Sequence, residues 1–272
     1  MAFLELVGRQ VYFEQHGEGP LVILLHHGFG SSEMWRGVLP HLVMAGYRVV
    51  TYDRRCYGQS EQGEDYREFY FSEGFRDAAV AELTGLMAAL ELGPAHLVGQ
   101  CEGGVVALDM ARLHPESVKS LVAASTQCYS SVPMPELNQA KFPLPYAQLD
   151  QAVKDKMIKW HGPEKAEERF DLYSYMGGSY GCGMFDLRPQ LPEAAAPALV
   201  LYPDRSALFP VEEGLAMYRG LPQGELAVIP ACGHNSYDHR PQDYLRILLG
   251  FLGRQEHGEK FSDTYRTATC AG

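Results

Sequence analysis

The stretch VGQCEGGVVAL, residues 98–108, predicts a sharp turn between a buried strand and a helix. Within it, the GQCEG motif of residues 99–103 has the spacing small-x-nucleophile-x-small. In such a turn the glycines let strand and helix pack closely, while the central residue is strained and its reactive atom is exposed. The pattern favours Cys101 as a nucleophile. The alternative is a buried structural cysteine at a tight turn, since free cysteines are commonly buried.

Short apolar runs alternate with helical patterns on both sides of this turn. The runs that predict buried strands lie at residues 21–25, 47–52, 95–99, 118–124, 198–202 and 226–229, after an opening hairpin around Gly8. The clearest helical pattern covers residues 75–90, and further helices are predicted after Pro210 and from Pro241. This alternation predicts an α/β fold with a mostly parallel sheet that helices cover on both faces.

The alternation stops between residues 128 and 196, which we interpret as a cap inserted into a core of residues 1–127 and 197–272. The cap is rich in aromatic side chains, and we expect Trp160 and Tyr175 to line an apolar pocket above the nucleophile. The alternative is that these aromatic residues form only the small core of the cap.

The glycine-rich passage MGGSYGCG, residues 176–183, is a candidate hinge of this cap. Its glycines are equally consistent with simple turns.

A histidine follows the last predicted strand in PACGHNSYDHRP, residues 230–241. A lone histidine is more often structural. However, His234 lies in a loop between the last strand and the last helix, and it follows the nucleophile in the chain order typical of a catalytic base. We therefore predict that His234 is the base.

In the stretch LLHHGFGSSEMW, residues 24–35, the pair His27-Gly28 follows the third predicted strand. A backbone N–H just after this pair can point at a developing oxyanion, together with the N–H that follows the nucleophile. The spacing nominates the amides of Phe29 and Glu102, whereas we interpret His26 and His27 as structural.

These motifs, with YDRRCYGQS at residues 52–60, stand in the order and spacing of the α/β-hydrolase superfamily, which the chain resembles over nearly its whole length. The resemblance implies an eight-stranded sheet with a cap over the active site. Cys101 is similar to the nucleophile of the dienelactone-hydrolase branch, whereas the rest resembles the capped esterase, lactonase and C–C hydrolase branch. Cys101 is one departure from the pattern of that capped branch, and two further positions also depart: Cys56 replaces a usual glycine, and Ser206 replaces the usual aspartate.

A cysteine nucleophile explains why the usual aspartate of the catalytic site can be absent. A thiol ionises more easily than a hydroxyl, and we expect Cys101 to rest as a thiolate beside a charged His234. The histidine then needs orientation more than charge stabilisation. Asp204 or the hydroxyl of Ser206 can supply it, and we favour Asp204, although a solvated loop aspartate is a close alternative. The Glu102 side chain is explained by the helix dipole, unless it faces the thiol.

Composition limits the class of partner. The net charge is −11 and no lysine or arginine block is present, which argues against binding to nucleic acid or to an anionic membrane. No apolar run is long enough to span a bilayer, and the six cysteines are scattered, so we expect a cytoplasmic protein with reduced thiols. No ligand cluster or phosphate loop implies a metal or an organic cofactor, and a homo-oligomer is compatible with the sequence.

The predicted function is hydrolysis of an activated acyl bond in a small, partly apolar ester, thioester or lactone, through a thioester on Cys101. Acyl transfer or C–C bond cleavage in the same site is the first alternative, because thioesters pass their acyl group readily to other nucleophiles. The second is a ligand-binding protein that keeps the pocket and turns over slowly.

Overall fold

The structure is a computed structural model that describes residues 2–176 and 183–258. Its strands are β1 (Ala2–Leu6), β2 (Arg9–His16), β3 (Leu21–Leu25), β4 (Arg48–Tyr52), β5 (Ala95–Gln100), β6 (Val118–Ala124), β7 (Ala198–Pro203) and β8 (Gly224–Ile229). They form one eight-stranded sheet in the order β1-β2-β4-β3-β5-β6-β7-β8. The eight-stranded sheet that the sequence predicts is confirmed.

The first two strands are the antiparallel part of the sheet. β1 pairs with β2 and β2 with β4 in antiparallel fashion, whereas every pair from β4 to β8 is parallel. The predicted hairpin turns at Gly8, whose φ of 70° lies in the left-handed region that glycine adopts without steric cost.

Helices cover both faces of the sheet. They are α1 (Leu39–Met44), α2 (Tyr66–Phe71), α3 (Phe75–Ala89), α4 (Glu102–Leu113), α5 (Met134–Lys141), α6 (Gln151–His161), α7 (Ala166–Met176), α8 (Val211–Gly220), α9 (Ser236–His239) and α10 (Pro241–His257). Helix α3 agrees with the predicted helix at residues 75–90. In the described ranges, no helix combines the length and the apolar character that a membrane crossing requires.

The core has two layers, one on each side of the sheet. Every residue of β3 is buried, because Ile23 and Leu25 enter one hydrophobic cluster while Val22 and Leu24 enter the other. Helices α3 and α4 contribute to the first cluster, and α1 and α10 to the second. A strand buried on both faces reads as a continuous apolar run, which explains why LVILL is so easily recognised.

Between β6 and β7 the chain leaves the sheet and forms α5, α6 and α7. A small apolar cluster holds α6 and α7 together through Met157, Ala166 and Phe170. Phe29, from the loop after β3, packs against this cluster and so joins α6 and α7 to the carboxyl edge of the sheet. Most of the glycine-rich candidate hinge lies outside the described residues.

Candidate active site

Cys101 lies in the turn between β5 and α4, at the carboxyl edge of the sheet. Its backbone has φ 52° and ψ −114°, a conformation that non-glycine residues rarely adopt. The neighbouring glycines allow it: a methyl group on Gly99 would overlap the backbone of Gly103, and one on Gly103 would overlap the backbone at Leu25. The close packing of strand and helix therefore maintains the strain at Cys101.

A second strained cysteine shows why the family pattern usually has glycine at position 56. Cys56 is buried and has φ 75°, in the left-handed region that favours glycine. A glycine at this position would therefore adopt the required backbone at lower cost.

The loop that carries His234 is tied to this turn through its backbone. The His234 carbonyl accepts a hydrogen bond from Gln100 Nε2 at 3.0 Å and another from Ser125 Oγ at 2.8 Å. The ring packs edge-on against Phe209, with 5.3 Å between ring centroids. Cys101 and His234 line the same cavity, as the sequence predicts.

The ring nitrogen Nδ1 of His234 lies 3.3 Å from Ser206 Oγ. That oxygen already accepts hydrogen bonds from the N–H groups of Leu208 at 3.2 Å and Phe209 at 3.1 Å. A hydroxyl has two acceptor lone pairs and one hydrogen, so Ser206 is left with its hydrogen to donate to Nδ1. We infer that Nε2 carries the proton of neutral His234.

Asp204, which we favoured as the partner of His234, makes its hydrogen bonds elsewhere. Its Oδ1 accepts the N–H of Cys232 at 3.0 Å, and its other oxygen lies 3.8 Å from Arg205. The hydrogen bonds from the backbone of residues 231 and 232 lower the pKa of this exposed carboxyl group. The geometry therefore corrects the expectation: the group at Nδ1 is Ser206, and Asp204 stabilises the neighbouring turn.

The two backbone amides proposed for an oxyanion hole differ in their hydrogen-bond partners. The N–H of Phe29 donates to Nδ1 of His27 at 3.1 Å, so this donor is engaged. The N–H of Glu102 opens α4, where backbone N–H groups have no partner within the helix. Burial raises the pKa of the Cys101 thiol, and a hydrogen bond from this N–H opposes that larger effect. Only the second amide faces the nucleophile without a competing acceptor among the described residues.

The Glu102 side chain belongs to a buried ion pair, not merely to the helix dipole. Its Oε1 lies 2.7 Å from Arg54 Nη1 and accepts the hydroxyl of Tyr57 at 2.8 Å. Both charged side chains are almost completely buried, with 2% and 3% of their area exposed. The other oxygen, Oε2, has no hydrogen-bond partner among the described residues and lies against Gly28. A negative charge therefore lies beside the nucleophile.

Burial favours the neutral forms of the nucleophile and of the base. Burial, followed by the charge of Glu102, raises the pKa of the Cys101 thiol to about 12. Burial, followed by the charge of Lys141, lowers the pKa of His234 to about 3. Both shifts oppose the expected thiolate–imidazolium pair in the resting site, because burial outweighs the effect of the helix N-terminus.

Alkylation of Cys101 tests this reversal. A raised pKa reduces the thiolate fraction, so at neutral pH iodoacetamide should label Cys101 at least about a hundredfold more slowly than a free thiol of pKa about 8.5. The rate should rise with every unit of pH and show no plateau below about pH 10. Rates measured by peptide mass on the folded protein, with the denatured chain as control, give the profile. A plateau near neutral pH would show that an ion pair exists.

A cavity of about 460 Å³ lies above Cys101. Its wall is mostly apolar and comes from the loop after β3, from α5 and α6, and from the loops after β7 and β8. Trp160 lines it, as expected, whereas the side chain of Tyr175 does not, because 72% of this residue is exposed on the outer side of α7. Ser206 lies behind His234 and contacts the base, not the cavity.

Two charged residues of the site were not identified from the sequence. Arg54 follows β4 in the motif YDRRCYGQS, and only the fold shows that it meets Glu102. Lys141 ends α5 and lines the cavity near Cys101 and His234. A lysine beside an apolar run, AKFP, was the available signal for the second.

The comparisons with known proteins agree with this fold. Residues 20–177 match the family model described as α/β hydrolase fold. A 2-hydroxy-6-oxo-6-phenylhexa-2,4-dienoate hydrolase of Burkholderia cepacia is 26% identical over 267 residues, which cover 89% of this chain and 91% of the relative.

Solved structures show the same fold. The enol-lactonase from Burkholderia xenovorans LB400 has a TM-score of 0.74 at 18% identity, over 93% of this chain and 100% of the lactonase. The meta-cleavage product hydrolase from Pseudomonas fluorescens IP01 has a TM-score of 0.72 at 21% identity, over 93% of this chain and 98% of that hydrolase. With the family match over more than half of its residues, the chain belongs to the α/β-hydrolase fold family.

Proposed function

We propose that this hydrolase cleaves an activated acyl bond in a small, partly apolar ester, thioester or lactone through an acyl-thioester on Cys101. One observation carries the proposal: the backbone of Cys101 is held at φ 52° beneath a cavity that Cys101 and His234 both line. Strained backbone of this kind persists where the surrounding structure enforces it, and it is concentrated at functional sites.

In the first step, Sγ attacks the acyl carbon and the carbonyl electron pair moves onto oxygen, where the Glu102 N–H can donate to it. The electron pair on oxygen then re-forms the carbonyl, the bond between the acyl carbon and the leaving group breaks, and the thiol proton passes through Nε2 of His234 to the leaving group. In the second step, His234 takes a proton from water, which attacks the thioester; the C–S bond breaks, the acid is released, and the proton passes from His234 to the thiolate. The thiol is restored, so the cycle consumes only water.

The restriction to activated substrates follows from the resting state. To accept the thiol proton at Nε2, His234 must first move its own proton to Nδ1. That proton would then meet Ser206 Oγ, whose lone pairs already hold two backbone N–H groups. Displacing one of these hydrogen bonds costs about 1–3 kcal/mol in a buried site. Only an acyl group that reacts readily with a neutral thiol offsets this cost.

We also propose that residues 128–196 act as a cap that selects the substrate. Support comes from the contribution of α5 and α6 to the cavity wall, including Trp160 of α6 and Phe142, which directly follows α5. We propose a cytoplasmic location, which is supported by the four described cysteines, all free thiols.

Intact mass spectrometry tests the thioester. Nitrophenyl esters and thioesters with short acyl chains should add one acyl group to the protein, on the peptide that contains Cys101. Cys101→Ala should lose both the adduct and the turnover. Cys128→Ala is the matched control, since Cys128 is a buried free thiol outside the cavity, and this variant should keep both. Turnover by Cys101→Ala at the original rate would contradict the proposal.

C–C bond hydrolysis is the second candidate. It is favoured by the dienoate hydrolase of Burkholderia cepacia, which matches 89% of this chain, and by the proton on Nε2, which a carbon leaving group requires. Incubation with 2-hydroxy-6-oxo-6-phenylhexa-2,4-dienoate should then release benzoate. A rate equal to the spontaneous one would remove this candidate.

A further inference from the structure

Lys141 is a charged residue in the cavity that the proposed hydrolysis does not use. It is the last residue of α5, and its Nζ lies 4.1 Å from the centre of the Phe209 ring. Among residues 2–176 and 183–258, no carboxylate lies within ion-pair distance of this nitrogen. The amine therefore faces an apolar wall without a counter-ion.

Glu213 is the acidic group that influences Lys141, and it is engaged elsewhere. Its Oε2 accepts the N–H groups of Cys128 at 2.8 Å and of Tyr129 at 3.3 Å. Burial dominates, and it lowers the pKa of Lys141 to about 8. About a tenth of the side chain is then neutral at pH 7, against less than about one part in a thousand for an ordinary lysine of pKa near 10.4.

A hydrogen-bond donor without a partner accompanies this amine. Asn138 lies one turn earlier on α5 and lines the same cavity. Only 3% of it is exposed, and its Nδ2 has no hydrogen-bond partner among the described residues. A buried donor without a partner is costly, and a ligand oxygen can satisfy it. His234, with its proton on Nε2, supplies a second donor to the cavity.

We propose that Lys141 captures an apolar aldehyde or ketone in this cavity as an imine, with Asn138 and His234 as the donors to the carbonyl oxygen. An amine released from its charge in an apolar pocket is a recognised route to carbonyl chemistry. The ligand class follows from the wall: an apolar body for Phe142, Trp160 and Phe209, and one carbonyl for the amine.

The chemistry balances without an added reagent. The Nζ lone pair forms a C–N bond, the carbonyl pair moves onto oxygen, and one N–H proton transfers to that oxygen to give a carbinolamine. The nitrogen lone pair then expels the hydroxyl as hydroxide, to which His234 donates a hydrogen bond, and the C–O bond breaks to give a protonated imine. The remaining N–H proton passes to the hydroxide, and water leaves. One carbonyl compound and one amine therefore give one imine and one water.

This activity does not depend on the hydrolytic one, because it needs no thiol. Reductive trapping separates the two. 3-Phenylpropanal and sodium cyanoborohydride are added to the folded protein and to Cys101→Ala at neutral pH, and peptide mapping locates the reduced adduct. Cyanoborohydride fixes an imine as a stable secondary amine and leaves a thiohemiacetal of Cys101 unmodified.

Lys156 is a matched control within the same cavity. It lines the cavity as well, but it forms an ion pair with Asp238 at 2.7 Å. We expect Lys141 to be labelled at least about tenfold faster than Lys156, because Asp238 holds the Lys156 nitrogen, whereas no carboxylate among the described residues pairs with Lys141. Lys156→Arg should keep the adduct at Lys141. Lys141→Arg should lose it while keeping the charge, and Lys141→Met serves as a second variant if the first does not fold.

Two results would overturn the inference. One is equal labelling of Lys141 and Lys156 in the folded protein. The other is labelling of Lys141 by glycolaldehyde as fast as by 3-phenylpropanal, because a reactive amine without an apolar ligand site would behave in this way.

Discussion

Ser206→Asp should raise kcat/KM for an activated ester by at least about tenfold, because it removes a misplaced proton that costs about 1.4 kcal/mol or more. The carboxylate can accept the N–H groups of Leu208 and Phe209 and still accept Nδ1–H of His234. The imidazole then leaves Nε2 free to take the thiol proton. Hydrolysis of one nitrophenyl ester by both proteins provides the measurement.

Ser206→Asn is the matched control, because asparagine has nearly the same size as aspartate but carries no charge. Its amide N–H can donate to Nδ1 as the serine hydroxyl does, so the proton stays on Nε2 and the rate should not rise. An increase in Ser206→Asn equal to that in Ser206→Asp would show that shape, not proton position, limits the reaction.

Ser206→Asp should be essential for activity when a serine hydroxyl replaces the thiol as the nucleophile. Cys101→Ser alone should be nearly inactive, because serine is harder to deprotonate and no carboxylate orients the base. Adding Ser206→Asp should restore part of the activity, with a coupling of at least about 1 kcal/mol between the two positions. High activity in Cys101→Ser alone would mean that another residue already serves as the acid.

Arg54→Met should lower the free energy of unfolding by about 3–5 kcal/mol, because it leaves Glu102 as a buried charge without its cation. Methionine fills much of the arginine volume, so the loss reports charge more than packing. Urea denaturation gives the change in free energy. Arg246→Met, which removes an exposed ion pair with Asp243, should change stability by less than about 1 kcal/mol.

A second substitution separates charge from shape. In Arg54→Met combined with Glu102→Gln, the amide oxygen can still accept the Tyr57 hydroxyl and no buried charge is left. The double variant should therefore recover at least about half of the loss. If Arg54→Met is as stable as the original protein, Glu102 does not carry a charge in the folded chain.

The sheet and the nucleophile turn could be predicted because short-range physics fixes them. Strands such as β3 are buried on both faces and read as apolar runs, and the turn at Cys101 needs glycines at fixed spacing. The place of His234 follows from chain order and topology, which bring the loop after β8 to the same sheet edge as the turn after β5.

The partners of these residues could not be predicted, because they depend on side-chain direction in loops and on contacts distant in sequence. Asp204 and Ser206 share one loop, and only its backbone path decides which of them meets the base. The sequence around Glu102 did not indicate that its carboxylate pairs with Arg54. The prediction that Tyr175 lines the cavity was wrong for a simpler reason: its position on α7 turns its side chain away from the cavity.

The strained backbone at Cys101 also bears on protein engineering. Any residue other than glycine at this position pays a conformational penalty of about 1–3 kcal/mol, which the rest of the fold must absorb. Glycine at the same position would relieve that penalty and discard the sulfur. Directed evolution that rewards thermal tolerance alone would therefore favour loss of the reactive group, so any such campaign on this chain needs a simultaneous screen for catalysis.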